Sequence, residues 1–135
     1  MNCELCDQDG GSVLWRDGFC RIVRAPSHDY PGFCRVILNR HAREMTDLPA
    51  GERSRLMHVV FACESALREL FRPAKVNLAS FGNQVPHLHW HVVARHADDP
   101  HFPDPVWAAP RRAGGATRET VSDERLGARL ATLLA

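Results

Sequence analysis

One long segment with helical periodicity divides this sequence of 135 residues. Between Pro49 and Pro73 the apolar residues recur at intervals of three and four, which is the spacing of one face of an α-helix. These residues are Leu56, Val59, Val60, Cys63, Leu67, Leu70 and Phe71. Proline suits the start of a helix and ends a helix interior, because it lacks the backbone N–H. We therefore predict a helix over Ala50–Phe71.

Segments rich in β-forming residues lie on both sides of this helix. The predicted strands are residues 13–16, 19–23, 33–38, 75–81 and 87–94. Asp17-Gly18 joins the first two strands, and this pair favours a two-residue hairpin turn of type I′. Strands before and after a single long helix indicate an α+β fold with a five-stranded antiparallel sheet.

The length of the chain and the composition of its C-terminal part predict its domain organisation. A chain of 135 residues buries enough surface for one hydrophobic core. Prolines at positions 100, 103, 105 and 110 argue against regular structure there, and Ser122 is a suitable cap for a short helix that follows it. We divide the chain into a domain over residues 1–110 and a C-terminal arm with a short helix over residues 111–135.

The charge balance restricts the partners of the chain. Seventeen basic and 16 acidic residues give a formal net charge of +1, which argues against binding nucleic acid or a membrane through a broad basic surface. No apolar stretch is long enough for a membrane span, and the N-terminus lacks the pattern of a secretory signal. We predict a cytoplasmic protein. Cys20, Cys34 and Cys63 lie in apolar patterns, as expected for reduced, buried thiols.

Three histidines alternate with apolar residues in the last predicted strand. His87, His89 and His91 lie two residues apart, so in a regular strand their imidazoles share one face. One interpretation is a solvated face of the sheet. Three histidines in register favour a functional site instead, because imidazole readily exchanges a proton near neutral pH.

A metal site is a second interpretation of these histidines. Residues four apart in a strand are about 13 Å apart, whereas Zn–N bonds are about 2.1 Å, so a single ion cannot bind all three. Two adjacent histidines can share an ion, which leaves open a metal-dependent hydrolase. Alternatively, His87 and His41 complete a structural zinc site with Cys3-x-x-Cys6. The two cysteines alone are equally consistent with a redox pair or with unrelated thiols.

The His-x-His-x-His strand, followed by two apolar residues, resembles the histidine triad (HIT) family of nucleotide hydrolases and transferases. Residues 29–37, 77–86 and 98–107 resemble a bacterial branch of that family, so the resemblance covers roughly residues 3–107. It implies a HIT-like α+β fold with five antiparallel strands and one principal helix. It also implies a homodimer, a nucleotide substrate and no organic cofactor.

The resemblance implies roles for individual residues. His89 is expected to attack the α-phosphorus of a nucleotide and to form a covalent nucleotidyl-histidine intermediate. His91 is expected to hydrogen-bond the phosphate or the leaving group. Asn83 is a candidate for binding the α-phosphate, and Asn77 is a second candidate for binding the phosphate or the sugar. The expected substrate is a purine nucleotide conjugate, either a dinucleoside polyphosphate or a nucleoside phosphoramidate.

The resemblance also implies a structural zinc ion, because some members of the family carry one. The implied ligands are Cys3, Cys6, His41 and His87. Two other functions stay open at this point, a non-catalytic nucleotide-binding module and a metal-dependent hydrolase. We interpret Trp15, Trp90 and Trp107 as core or dimer-contact residues and not as stacking platforms for a base.

Overall fold

Five antiparallel strands form one sheet, and the computed structural model describes residues 2–114 and 120–135 of the chain. The strands are β1 (Ser12–Arg16), β2 (Cys20–Arg24), β3 (Phe33–Leu38), β4 (Lys75–Ala79) and β5 (His89–Arg95), in the order β1-β2-β3-β5-β4. The helices are α1 (Glu4–Asp7), α2 (Ala50–Phe71) and α3 (Asp123–Leu133), and Met45–Asp47 forms a 3-10 turn. The predicted α+β fold with five strands and one long helix is confirmed.

Helix α2 covers one face of the sheet with its apolar stripe. Leu56, Val59 and Leu67 are fully buried against Val36 and Val92 of the sheet. Burial of each such side chain contributes about 1.5–3 kcal/mol to folding. The three cysteines predicted to be buried thiols, at positions 20, 34 and 63, are also free and fully buried. Within residues 2–114 and 120–135, none of the helices combines the length and the apolar character that crossing a bilayer requires.

The turn between β1 and β2 differs from the predicted type I′ turn. The N–H of Asp17 donates to the carbonyl of Cys20 at 3.0 Å, so the turn residues are Gly18 and Phe19, and Gly18 does not adopt a positive φ. The reason is the carboxylate of Asp17, which accepts from the N–H groups of Phe19 and Cys20 at 2.8 Å each. These hydrogen bonds hold the turn without a left-handed residue.

Strand β5 begins at His89, two residues later than predicted, and β4 ends at Ala79 instead of residue 81. The strand does not include His87 and Leu88 because the N–H of His87 donates to the carbonyl of Val85 and that of Leu88 donates to the carbonyl of Ala42, and not to β3. His87 therefore precedes the strand, and only two of the three histidines share its face. This corrects the expectation of three imidazoles in one strand register.

Helix α3 packs onto the same core as α2. Val121, Leu126 and Leu130 are buried in that core, and the hydroxyl of Ser122 accepts from the N–H of Arg125, which confirms the predicted cap. Gly127 allows close packing on β1, because a Cβ at this position would lie 2.9 Å from a backbone oxygen of that strand. The domain division at residue 110 stays a prediction, and residues 115–119 of the predicted arm lie outside the described residues.

Candidate active site

The face of the sheet opposite α2 carries two histidines of the triad. Along β5, Trp90 and Val92 contact the core beneath α2, so the alternate residues His89 and His91 lie on the other face. Both imidazoles are about nine-tenths buried, and their ring centroids are 4.9 Å apart. The geometry therefore brings His89 and His91 together as neighbouring groups.

His89 is held in one tautomer by the backbone. Its Nδ1 lies 2.6 Å from the carbonyl oxygen of His87, which can only accept a hydrogen bond, so Nδ1 carries the proton. The hydroxyl of Ser80 donates to the carbonyl of His89 at 2.7 Å and ties this part of β5 to the end of β4. The remaining nitrogen, Nε2, keeps its lone pair and can act as a nucleophile or a base.

His91 lies in an apolar environment that keeps it neutral. Burial first, and then the charges of His89 and Arg35, lower the pKa of His91 to about 4. Its ring contacts the rings of Phe33 and Trp107 at centroid distances of 5.7 and 4.9 Å. Its Nδ1 is buried and has no hydrogen-bond partner among the described residues. A neutral imidazole near pH 7 can donate one N–H to a substrate oxygen.

The lowered pKa of His91 predicts that the folded protein loses stability in acid. An unfolded chain protonates this imidazole near its ordinary pKa of 6.5, whereas the folded chain does so only near 4. The unfolded state therefore binds the extra proton between these values, and the free energy of unfolding falls as the pH is lowered through them. We expect His91 to contribute about 2–3 kcal/mol to the loss of stability between pH 7 and pH 4.5. Denaturant unfolding of wild type and of His91→Gln at both pH values measures this contribution, and equal pH slopes would contradict it.

The two asparagines occupy different environments. Asn83 is exposed in the loop between β4 and β5, directly after Gly82, whose φ is +70°. Asn77 lies on β4 opposite Val93 and therefore on the face of the histidines, and its side-chain oxygen accepts from Arg95 at 2.8 Å. The side-chain oxygen of Asn77 is therefore already hydrogen-bonded to Arg95. The roles expected for both asparagines stay predictions.

The four expected metal ligands lie together beside this site. Among the described residues, one group of three or more potential ligands is close enough to hold a metal ion, and its ligand atoms lie within 4.8 Å of one another. The group consists of Cys3, Cys6, His41 and His87. Cys3 directly precedes α1 as its N-cap and Cys6 lies within the helix, and the N–H of Cys6 donates to the carbonyl of Cys3.

The donor atoms of this cluster fit a zinc ion. Nε2 of His87 donates to the carbonyl of Leu38 at 2.6 Å, so its Nδ1 keeps a lone pair, 3.3 Å from Sγ of Cys3 and 3.5 Å from Sγ of Cys6. Nδ1 of His41 lies 3.5 Å from Sγ of Cys6. Tetrahedral zinc with bonds of about 2.1–2.3 Å separates its ligand atoms by roughly 3.5 Å. Two sulfurs and two nitrogens are also the donors that zinc prefers.

Arg35 is a site residue that the sequence analysis missed. It lies on β3 directly opposite His91 and is half-buried. Within the described residues its guanidinium makes one hydrogen bond, from Nη1 to the carbonyl of Gly10 at 2.8 Å, whereas that of Arg21 donates to four acceptors. The spare N–H groups of Arg35 suit phosphate oxygens. The sequence did contain a signal for Arg35, because it is a charged residue inside the apolar run of residues 33–38.

A buried carboxylate organises the loop after β5. Asp99 is 3% exposed and accepts from the guanidinium of Arg95 at 2.9 and 3.0 Å. It also accepts from the hydroxyl of Tyr30 and from three backbone N–H groups, those of His96, His101 and Phe102. Burial opposes ionisation, but these hydrogen bonds hold the pKa of Asp99 well below its usual value. The carboxylate therefore fixes the start of the loop that contains Trp107, the residue whose ring contacts His91.

Comparisons with known proteins identify the family. The sequence model of the HIT domain matches residues 8–98. The chain therefore belongs to the HIT (histidine triad) family, as its sequence indicated. A comparison with curated protein sequences gave no match.

Solved structures of other histidine triad proteins share the fold over almost the whole chain. A protein from Marinobacter aquaeolei is 27% identical, with a TM-score of 0.72 and coverage of 99% of this chain and 95% of that one. A protein from Sinorhizobium meliloti is 24% identical, with a TM-score of 0.73 and coverage of 98% and 95%. A protein from Bradyrhizobium japonicum is 24% identical, with a TM-score of 0.72 and coverage of 99% and 94%.

Proposed function

We propose that the protein is a nucleotide hydrolase or nucleotidyl transferase that acts at the α-phosphate of a purine nucleotide conjugate. The observation that carries this proposal is the hydrogen bond from Nδ1 of His89 to the carbonyl of His87 at 2.6 Å. In the neutral imidazole this bond places the proton on Nδ1 and the lone pair on Nε2, which is the arrangement that a nucleophilic imidazole requires. Membership of the HIT family supports the same reaction class.

The proposed reaction has two displacements. In the first, the lone pair on Nε2 of His89 forms a bond to the α-phosphorus, while the bond from phosphorus to the leaving group breaks and its electron pair departs with that group. A nucleotide departs as its phosphate anion, whereas an amine departs as the neutral molecule after taking up one proton from solvent. The imidazole then carries a positive charge, which the carbonyl of His87 stabilises through the Nδ1 proton. In the second, water attacks phosphorus, the N–P bond breaks, and a nucleoside monophosphate and a proton are released.

Neighbouring groups are proposed to stabilise charge on the phosphate oxygens. His91 is neutral because its pKa is lowered to about 4, so it can donate an N–H to the phosphate or the leaving group. Asn83 can donate its amide from the loop before β5, and Arg35 can supply a positive charge from β3. Fixed donors of this kind contribute to phosphoryl transfer because they favour the charge that develops in the transition state.

Intact-protein mass spectrometry tests the proposal. We expect wild-type protein, incubated briefly with diadenosine tetraphosphate or adenosine 5′-phosphoramidate, to gain the mass of one nucleoside monophosphate in an acid-labile bond. Substrate consumption is followed in parallel, because rapid hydrolysis hides the adduct. Nucleotide binding with neither an adduct nor consumption would indicate a non-catalytic module instead. Activity that chelation removes and added metal restores in Cys6→Ser, which lacks one ligand of the four-residue cluster, would indicate a metal-dependent hydrolase.

We also propose that the cluster of two cysteines and two histidines beside the active site holds a structural zinc ion. Its ligands would be Cys3, Cys6, His41 and His87, whose donor types and spacing fit zinc. When bound, zinc would supply a cross-link between α1 and the segment before β5. Because all four ligands would come from the chain, the ion would have no open position for a substrate.

Metal analysis tests the zinc proposal. We expect purified wild-type protein to contain about one zinc per chain, as a site with four protein ligands retains its metal. Cys6→Ser should lose most of it, and chelation should lower the melting temperature of wild type but not that of this variant. His58→Ala, which removes an exposed histidine on α2, is the matched control and should keep the metal. Undiminished zinc in Cys6→Ser would contradict the proposed ligands.

We further propose that the protein is a homodimer. The family resemblance implies this state, and β4 supports it because this strand forms one edge of the sheet. An edge strand offers unpaired backbone N–H and C=O groups to a second copy of the chain.

A further inference from the structure

Two large aromatic side chains are exposed next to the triad. Phe81 is 58% exposed and Trp107 is 51% exposed, and their ring centroids are 5.0 Å apart. The sequence favours Trp107 as a core or dimer-contact residue, and this exposure excludes only the core. Adjacent exposed aromatic rings mark binding surfaces more often than single exposed apolar residues do. We call Phe81 and Trp107 the aromatic pair.

The aromatic pair adjoins His91. The ring of Trp107 lies 4.9 Å and that of Phe81 6.4 Å from the imidazole of His91, measured between centroids. Within the described residues, the buried Nδ1 of His91 has no hydrogen-bond partner. Apolar ring faces and one unpaired polar atom therefore lie side by side. A nucleobase, which is a flat ring with polar edges, has the matching chemistry.

The loop that carries Trp107 is fixed before any ligand binds. Asp99 accepts from backbone N–H groups at the start of this loop, including that of Phe102 at 2.7 Å. Arg112, beyond Trp107, donates from Nη1 to the carbonyls of Asp99 and Phe102 at 2.6 and 2.8 Å. Both ends of the loop are thus hydrogen-bonded to the segment from Asp99 to Phe102. A surface held in this way loses little conformational entropy when a ligand binds.

We propose that the aromatic pair stacks on a nucleobase in the leaving group, so that the enzyme prefers dinucleoside polyphosphates to conjugates with a small leaving group. This inference rests on the proposed function, in which His91 contacts the phosphate or the leaving group. The rings beside His91 are then placed for the part of the substrate that departs. A small amine leaving group has no ring to contact them.

Substrate discrimination tests this inference. The readout is the ratio of kcat/KM for diadenosine tetraphosphate to kcat/KM for adenosine 5′-phosphoramidate, whose leaving group is ammonia. Loss of an aromatic stacking partner weakens the binding of a base by roughly 5- to 150-fold, so we expect Trp107→Leu and Phe81→Leu each to lower the ratio by about that factor, mainly through KM. The matched control is Phe61→Leu, which changes a phenylalanine that is 52% exposed on α2. It should leave the ratio unchanged.

Other results would overturn the inference. An unchanged ratio in Trp107→Leu and Phe81→Leu would do so, even if both activities fell, because the rings would then only support His91. A change of oligomeric state in Trp107→Leu, measured by analytical ultracentrifugation, would assign the rings to an interface between copies.

Failure of the proposed function gives a different result. If wild type consumes neither substrate, the reaction is refuted, and quenching of tryptophan fluorescence by diadenosine tetraphosphate tests the aromatic pair directly. Saturable quenching in wild type that is lost in Trp107→Leu would support the stacking site. No saturable quenching in wild type would overturn it.

Discussion

Replacing His89 with alanine is expected to abolish nucleotidyl transfer. The variant should form no covalent adduct and should consume diadenosine tetraphosphate at least about 1000-fold more slowly, because removing a nucleophile removes the covalent route itself. No other imidazole takes over readily. His91 is the adjacent one, and its Nδ1 lacks, among the described residues, the carbonyl partner that fixes the tautomer of His89. Intact mass and substrate consumption, measured on the same preparation, give both readouts.

The structure provides the controls for this experiment. Within the described residues, the side chain of His89 makes one hydrogen bond, to a carbonyl next to its own strand, so its removal should leave the fold intact. Circular dichroism and zinc content check this directly. His58→Ala is again the matched control, since it removes an exposed imidazole and should keep full activity. An adduct of unchanged yield on His89→Ala would refute His89 as the nucleophile.

Replacing Asp99 with alanine is expected to lower the free energy of unfolding by about 3–5 kcal/mol, which is the usual effect of breaking a buried ion pair. Arg95 is 1% exposed and would become a buried charge without its carboxylate. The hydroxyl of Tyr30 and the backbone N–H groups after β5 would lose an acceptor as well. Denaturant unfolding at pH 7 measures the change.

An exposed carboxylate of the same loop is the control for Asp99. Asp104 pairs with Arg111 at 2.7 Å on the surface, where water screens the interaction. Asp104→Ala should therefore change the stability little. A loss in Asp99→Ala below about 1 kcal/mol would mean that water replaces the carboxylate and that the loop is not fixed by it.

The elements that local patterns determine were predictable from the sequence. Helix α2 has the predicted bounds because a regular apolar spacing between two prolines leaves little freedom. Strand β3 also has its predicted bounds, because its run of β-forming residues lies between Pro31-Gly32 and Asn39. The start of β5 was not predictable in this way, since the N–H of Leu88 donates to Ala42, which is distant in sequence, and not to β3.

The candidate site was only partly predictable, because sequence spacing does not give the pairing of strands. The alternation of His89 and His91 follows from their spacing in a strand. The position of Arg35 opposite His91 depends on the register of β3 against β5, which no local pattern specifies. Trp107 reaches the site through a loop that a single buried carboxylate holds. Proline-rich composition indicated that a loop would form there but not where it would lie.

The two edges of the sheet differ in a way that limits how copies of the chain can assemble. At one edge, β1 has an irregular register at Leu14, and α3 packs against it through Gly127. At the other edge, β4 pairs regularly with β5 over all of its residues. A disrupted edge is a poor template for a further strand, and a regular edge is a good one. Copies that join edge to edge through β4 would therefore form a closed pair and not a growing fibre.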